Sequence, residues 1–222
     1  MSKLLASYHG LVPYKESLEL QAKSHEMVSA GASDVLLMMQ HPHVFTLGRR
    51  GRKEDVLISR EKMLELGIEA FDTERGGEVT YHGPGQLIVY PIINLRRLGG
   101  IGPIEYVRKL EQSISQFLAL YDIEVNTDEK PTGVWIGDHK IASIGVRISK
   151  GTTTHGFSLN ISNDLSYFEH IIACGIPESK NTSLSSHIGT PVLIEETLQP
   201  IAKLITEKFH YDLDWKKYPS SF

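Results

Sequence analysis

From Arg75 to Pro91 the chain reads Arg-Gly-Gly-Glu-Val-Thr-Tyr-His-Gly-Pro-Gly-Gln-Leu-Ile-Val-Tyr-Pro, and few backbone paths accommodate that order of residues. Gly76, Gly77, Gly83 and Gly85 leave bare backbone where any Cβ would hold a ligand or a neighbouring strand away. Pro84 restricts the turn between the last two. β-formers and hydrogen-bonding groups mix in Glu78, Val79, Thr80, Tyr81 and His82, and then Leu87, Ile88, Val89 and Tyr90 enter an apolar strand. A tight turn accounts for Gly-Pro-Gly by itself, but a turn has no need of Arg75, Thr80, Tyr81 and His82 together. The stretch is read as the floor of a binding site. It is not a phosphate loop, since neither GxxxxGK(S/T) nor GxGxxG is present.

The segments around it give an irregular mixture of helices and hairpins. Pro13, Leu18, Leu20, Ala22, Met27 and Val28, closed by Gly31, predict a helix with proline near its first turn. Asp34 to Gln40 predicts a buried strand, and His41 to Gly48 a turn and a second, short strand. Arg60 to Leu66 predicts a short helix closed by Gly67. After Gly99-Gly100-Ile101-Gly102, Pro103 opens a helix whose apolar positions Ile104, Val107, Leu110, Ile114, Phe117, Leu118 and Tyr121 keep the spacing of one buried face. Gly133 to Ile136 and Lys140 to Ile148, joined at Gly137-Asp138-His139, predict a hairpin. His155 to Ile161 predicts a further strand, Asp164 a cap for a short helix through Ile172, and Glu195 to Phe209 a final helix whose start is left open by Pro200. No internal repeat, linker or low-complexity stretch interrupts the order. This pattern predicts a single-domain α+β layer fold spanning 1–222, with a mixed β-sheet flanked by helices, rather than a doubly wound sheet.

Composition excludes several classes of function. Of 222 residues, 23 are basic and 27 acidic, a net charge of −4 that gives no bulk attraction to nucleic acid. No apolar run approaches the roughly 18 residues of a membrane span, and the first residues lack the apolar core of a signal peptide. The chain is expected to be cytoplasmic, neither exported nor anchored. The single cysteine, Cys174, fits a reducing compartment. The basic group Arg49, Arg50, Arg52 and Lys53 is either a solvated loop or a positive edge that attracts an acidic partner.

Cys174 is either an inert core residue or a reagent. A free thiol with a reference pKa of about 8.5 is mostly protonated at neutral pH, and a position just past a helix C-terminus would raise that pKa. An active Cys174 therefore requires a cation beside it, with Lys140, His82 and His155 as the candidates. No pair among the ten histidines has HExxH or CxxC-like spacing, so no metal is expected.

At these residues the chain resembles a known family, the lipoyl(octanoyl) transferases. Arg75 to Leu87, Gly133 to Lys140 with Ile144 to Ile148, and His155 to Asn160 with Cys174-Gly175-Ile176 carry the likeness in order, with His41-Pro42 and Thr46 to Arg49 upstream. The resemblance implies a fold shared with biotin and lipoate ligases. It implies a catalytic pair, Cys174 as nucleophile and Lys140 beside it. It further implies acyl contacts from Arg75, Gly76, Gly77, Glu78, Val79, Thr80, Tyr81 and His82, from Ser143, Ile144 and Gly145, and from Gly156, Phe157 and Ser158. Val79, Ile144 and Phe157 are expected to line a slot for an eight-carbon chain. The implied reaction moves an octanoyl (or lipoyl) group from octanoyl-acyl carrier protein to a lysine of lipoyl domains in 2-oxoacid dehydrogenases or the glycine cleavage H protein. No cofactor, metal or nucleotide is required, and the chain is expected to act as a monomer. An ATP-dependent lipoate ligase and a non-catalytic acyl-binding protein are the rival readings.

Overall fold

A computed structural model describes residues 2–126, 130–173 and 180–216. Eight of its strands are β1 (Ser2–Leu11), β2 (Asp34–Gln40), β6 (Gln86–Ile92), β7 (Val134–Ile136), β8 (His139–Ser149), β9 (Thr152–Asn160), β10 (Lys180–Asn181) and β11 (Tyr211–Lys216). Among the described residues these form one mixed sheet in the order β10-β8-β9-β6-β2-β1-β11, with β7 added against β8. β1 runs parallel to β2 and β11, and β10 parallel to β8, while β2, β6, β9 and β8 pair antiparallel in turn. From β3 (Val44–Leu47), β4 (Glu69–Asp72) and β5 (Val79–His82) a second sheet is made, in the order β4-β3-β5. The helices are α1 (Tyr14–Ser29), α2 (Arg60–Glu65), α3 (Pro103–Ala119), α4 (Leu184–Ile188) and α5 (Ile194–Phe209). The fold is thus α+β, a mixed sheet flanked by helices.

Strand β2 shows why the sheet is covered on both faces. Its near-continuous apolar run suits a strand buried on two sides. Leu36 and Met38 join the core under α3 and α5, whereas Val35, Leu37 and Met39 face Val28 of α1. Tyr106, Leu110, Ile114 and Phe117 of α3 point into the first of these cores with Leu198, Ile201, Ile205 and Phe209 of α5. At about 1.5 to 3 kcal/mol per fully buried side chain, this face is a main source of stability. Ile104, read from spacing as part of that face, is instead 74% exposed. α5 runs straight through Pro200 from Ile194, with Glu196 reaching back to the Leu193 amide at 3.1 Å.

Helix α1 departs from its sequence reading. Its buried residues are Tyr14, Ser17, Gln21, Ser24 and Val28, while Leu18 and Leu20 are half-buried and Ala22 and Met27 are exposed. A polar face turns inward because it packs on the polar part of β9. Gln21 Oε1 accepts the His155 amide at 2.8 Å, and Ser29 bonds Thr152 at 3.0 Å.

Candidate active site

The Arg75 to His82 stretch folds as a turn followed by β5, and the upstream Thr46-Leu-Gly-Arg49 stretch is its structural counterpart. Gly48 donates to the Glu78 carbonyl, Arg49 to that of Arg75 and Arg50 to that of Gly77, all at 3.0 to 3.1 Å. A Cβ on Gly48 would stand 2.4 Å from the Gly77 oxygen, so the two turns interlock only through glycine. The buried Arg75 guanidinium closes the joint. Its Nε and Nη2 donate to Thr46 Oγ1 at 3.2 and 2.9 Å, Nη2 also to the carbonyls of Thr46 and of Glu78 (2.8 Å to the latter), and Nη1 to that of Gly76 at 3.0 Å. Arg75 thereby pins its own turn to β3. On the other side Gly76 donates to the Val146 carbonyl at 3.0 Å, and a Cβ on Gly145 would lie 2.8 Å from the Gly76 oxygen. The glycine pair lets the turn lie against β8.

Between the turn, β8 and β9 lies a cavity of about 430 Å³. Arg75, Gly76, Gly77, Glu78, Val79, Thr80 and His82 line it, with Ser143, Ile144 and Gly145 from β8, Gly156, Phe157 and Ser158 from β9, and Lys140. Tyr81 is the exception among the sequence-derived contacts. Alternation along β5 turns it away from Thr80 and His82, against Phe45 and Phe168, with its hydroxyl 2.9 Å from His43 Nδ1. The sequence reading missed Tyr14, Ile88 and Tyr90 as lining residues. Period-two alternation from Gln86 places Ile88 and Tyr90 on one face and held that signal; Tyr14, arriving from a helix start, left none.

Lys140 is buried, and its path explains the residues before it. Its ammonium sits 5.2 Å from the centre of the Trp135 ring, a cation over an aromatic face. Gly133, at φ 136, carries no Cβ because one would meet Lys140 Cε at 2.6 Å. The backbone of Lys140 is paired on both sides, to Trp135 of β7 and to Asn181 of β10. Cys174, with Gly175 and Ile176, lies outside the described residues. Asp164 caps the turn before it by accepting the Ser166 amide at 2.9 Å, as the sequence predicts, although that turn is a 3-10 helix over Leu165–His170.

The two histidine candidates for the cation are held neutral. Burial pushes His82 well below its usual value, aided by His41, and burial with the Arg75 and Arg147 charges pushes His155 down to about 4. His82 belongs instead to a directed chain of hydrogen bonds. Gln86 Nε2 donates to the Tyr81 carbonyl at 3.2 Å and to Asn160 Oδ1 at 2.8 Å, so Gln86 Oε1 receives His82 Nδ1–H at 2.8 Å. His82 Nε2 is then the acceptor for Thr46 Oγ1 at 3.3 Å. His41 is likewise neutral, pushed down to about 4 by burial, donating from Nδ1 to the Val12 carbonyl at 2.7 Å and accepting Tyr90 at 2.9 Å.

Two members of the basic group are already in ion pairs, Arg50 with Glu78 and Arg52 with Asp55, each at 2.8 Å. Among the described residues no group of three or more His, Cys, Asp or Glu side chains is placed to hold a metal ion, and no helix is long and apolar enough to cross a membrane.

Known proteins share this fold. Solved structures have the same fold at low identity. A bipartite lipoate protein ligase from Thermoplasma acidophilum superimposes with a TM-score of 0.74 at 16% identity, covering 98% of this chain and 88% of that one. The biotin protein ligase of Aquifex aeolicus gives 0.52 at 16% identity, over 95% and 70%. Sequence relatives are nearer. The mitochondrial octanoyltransferase LIP2 of Arabidopsis thaliana is 43% identical over 95% of this chain and 91% of its own, and the octanoyltransferase of Caldicellulosiruptor saccharolyticus 41% over 93% and 89%. The profile of the lipoyl protein ligase A/B catalytic domain matches residues 13–206. The chain belongs to that family, on its octanoyltransferase side.

Proposed function

We propose that this enzyme transfers an octanoyl (or lipoyl) group from acyl carrier protein to the ε-amine of a lysine on lipoyl domains, the first step of protein lipoylation, through a thioester on Cys174. The observation that carries the reading is the buried Lys140 in the wall of a cavity whose other walls are the glycine-rich turn, Ile144 and Phe157. Octanoyltransferases are also the relatives that match over nearly the whole length.

In the first step the Cys174 thiolate attacks the carbonyl carbon of the octanoyl thioester. A new C–S bond forms, the carrier's C–S bond breaks, and the carrier thiolate takes a proton from the Lys140 ammonium. In the second step the neutral lysine amine of the acceptor attacks the acyl-enzyme, its proton passes to Lys140, and the Cys174 thiolate leaves. Thioester exchange is nearly balanced in energy and the amide product lies downhill, so no nucleotide is consumed. Before acyl transfer the Lys140 ammonium favours the thiolate by Coulomb attraction. With His82 and His155 held neutral, Lys140 is the cation this scheme uses.

The enzyme works as a cytoplasmic monomer, taking its acceptors from 2-oxoacid dehydrogenases or the glycine cleavage H protein. The carrier, being acidic, docks at the loop from Arg49 to Lys53 beside the cavity mouth, where Arg50 is itself a lining residue.

Protein incubated with octanoyl carrier and no acceptor should gain one octanoyl group on Cys174, and should then acylate a lipoyl domain without nucleotide. An unmodified protein refutes the thioester scheme. Acylation that requires ATP and free lipoate and survives Cys174→Ala identifies a ligase instead. Binding of octanoyl carrier with no acylated lipoyl domain identifies a binding protein.

A further inference from the structure

We propose that Asn160 is a positioning residue for Lys140, acting through the two-residue strand β10. The inference rests on the role of Lys140 given above. Among the described residues β10 meets β8 at Lys180↔His139 and Asn181↔Lys140, and just beyond it Thr182 donates its amide to the Lys140 carbonyl at 3.0 Å. So short a strand carries no apolar side chain to set its register. The Asn160 side chain supplies the hold. Its Nδ2 donates to the Thr182 carbonyl at 3.0 Å, so Thr182 is fastened at both of its backbone polar groups.

Asn160 is itself fixed from the far side of the cavity. Its Oδ1 receives Gln86 Nε2 at 2.8 Å, Gln86 receives His82, His82 receives Thr46, and Thr46 Oγ1 receives Arg75. Every donor in this run points the same way, from the Arg75 guanidinium toward the Lys140 carbonyl, and bonds aligned in this sense polarise one another. Asn160 is buried and is not among the lining residues of the cavity, so a substrate-binding role does not account for it. A buried amide is costly unless satisfied, and this one uses both ends to join the glycine-rich half of the site to the strand that flanks Lys140. A misplacement of about 1 Å at a catalytic group costs up to about 100-fold in rate.

A double-mutant cycle tests the assignment, with kcat/KM for octanoyl transfer and the pH dependence of alkylation at the single cysteine as readouts. Asn160→Ala should lower kcat/KM by about 10- to 100-fold and move the alkylation profile to higher pH. The same substitution made on Lys140→Ala should lower the rate by less than about 2-fold, because the residue it positions is gone. An equal loss in both backgrounds overturns the inference while leaving Lys140 in its role. No effect of Lys140→Ala on rate or titration removes the role of Lys140 and the inference together. Should Asn160→Ala lose its cooperative melt, Gln86→Met, which removes the donor that orients Asn160, takes its place in the cycle: a loss confined to the Lys140 background supports the inference, and an equal loss in both overturns it.

Discussion

The Tyr211 hydroxyl donates to Asp34 Oδ2 at 2.6 Å, tying the first residue of β11 to the first residue of β2 across the intervening β1. Asp34 is fully buried as a side chain, and its other oxygen receives Arg97 at 2.9 Å and the Asn94 amide at 3.0 Å. Tyr211→Phe leaves a buried carboxylate oxygen short of a donor, a loss of about 1.5 to 3 kcal/mol. The Tm should fall by about 3 to 12 °C, with octanoyl transfer below the transition unchanged. An unchanged Tm would show that the bond contributes nothing net.

Stability should fall as pH drops through the range set by His41 and His155. Burial is the first cause of both depressions, and each titrates at about 4 in the folded chain against about 6.5 unfolded. The unfolded chain therefore binds protons that the folded chain refuses between those values. The contribution is fully present above about pH 6.5 and is lost progressively down to about pH 4, by roughly 3 kcal/mol per histidine at most. Denaturant melts between about pH 8 and pH 4 should show this slope, reduced in His41→Gln. A flat profile, or the same slope in the variant, would remove His41 as its source.

Two glycines of the cavity should respond to alanine differently. A Cβ on Gly156 meets the Val89 carbonyl oxygen at 2.1 Å and Pro91 Cδ at 2.6 Å, inside the β6–β9 pairing. Gly156→Ala should therefore destabilise the whole fold, by about 3 kcal/mol or more. On Gly145 the Cβ meets the Gly76 oxygen at 2.8 Å, a smaller overlap, with the cavity turn and not with a neighbouring strand of the sheet. Gly145→Ala should leave a cooperative melt and act chiefly on KM for the octanoyl carrier. Tm and KM measured for the pair separate the two effects, and equal Tm losses would contradict the distinction.

Acyl chain length should be read by burial in the cavity. Each CH₂ withdrawn from an apolar slot is worth about 0.8 kcal/mol, or roughly 4-fold in kcat/KM. Hexanoyl carrier should thus react about 15-fold more slowly than octanoyl. Equal rates for the two would mean that Val79, Ile144 and Phe157 do not grip the chain.

The sequence is most legible where one periodicity meets one environment. β2, α3 and the β7–β8 hairpin fall where spacing and turn residues put them, because each is anchored on an apolar core. The fold shared with biotin and lipoate ligases is the one the resemblance implies, and thirteen of the fourteen residues it groups together line one cavity. Hydrophobic spacing turns α1 to the wrong face because its inward side is polar, chosen by Gln21 and Ser29 reaching β9, and such pairings leave no record in apolar periodicity. β1, β4 and β11 escape a reading from sequence for a related reason, since edge and half-exposed strands alternate weakly. Tyr81 is grouped with its neighbours by the resemblance although β5 alternates, and the sheet partner that fixes its direction, Phe45, is remote in sequence. The carboxamide chain from Gln86 to Asn160 joins residues far apart in the chain, which no local window brings together.

His155 adopts φ 57 in the middle of β9, and its amide leaves the strand to meet Gln21 of α1. A left-handed twist costs a side-chain-bearing residue about 1 to 2 kcal/mol, and glycine adopts it freely. The usual ranking of small substitutions inside a strand is therefore inverted at this one position: glycine should be borne more easily than alanine. The gap between those two replacements isolates what the bent backbone costs, and whatever both have in common belongs to the missing imidazole.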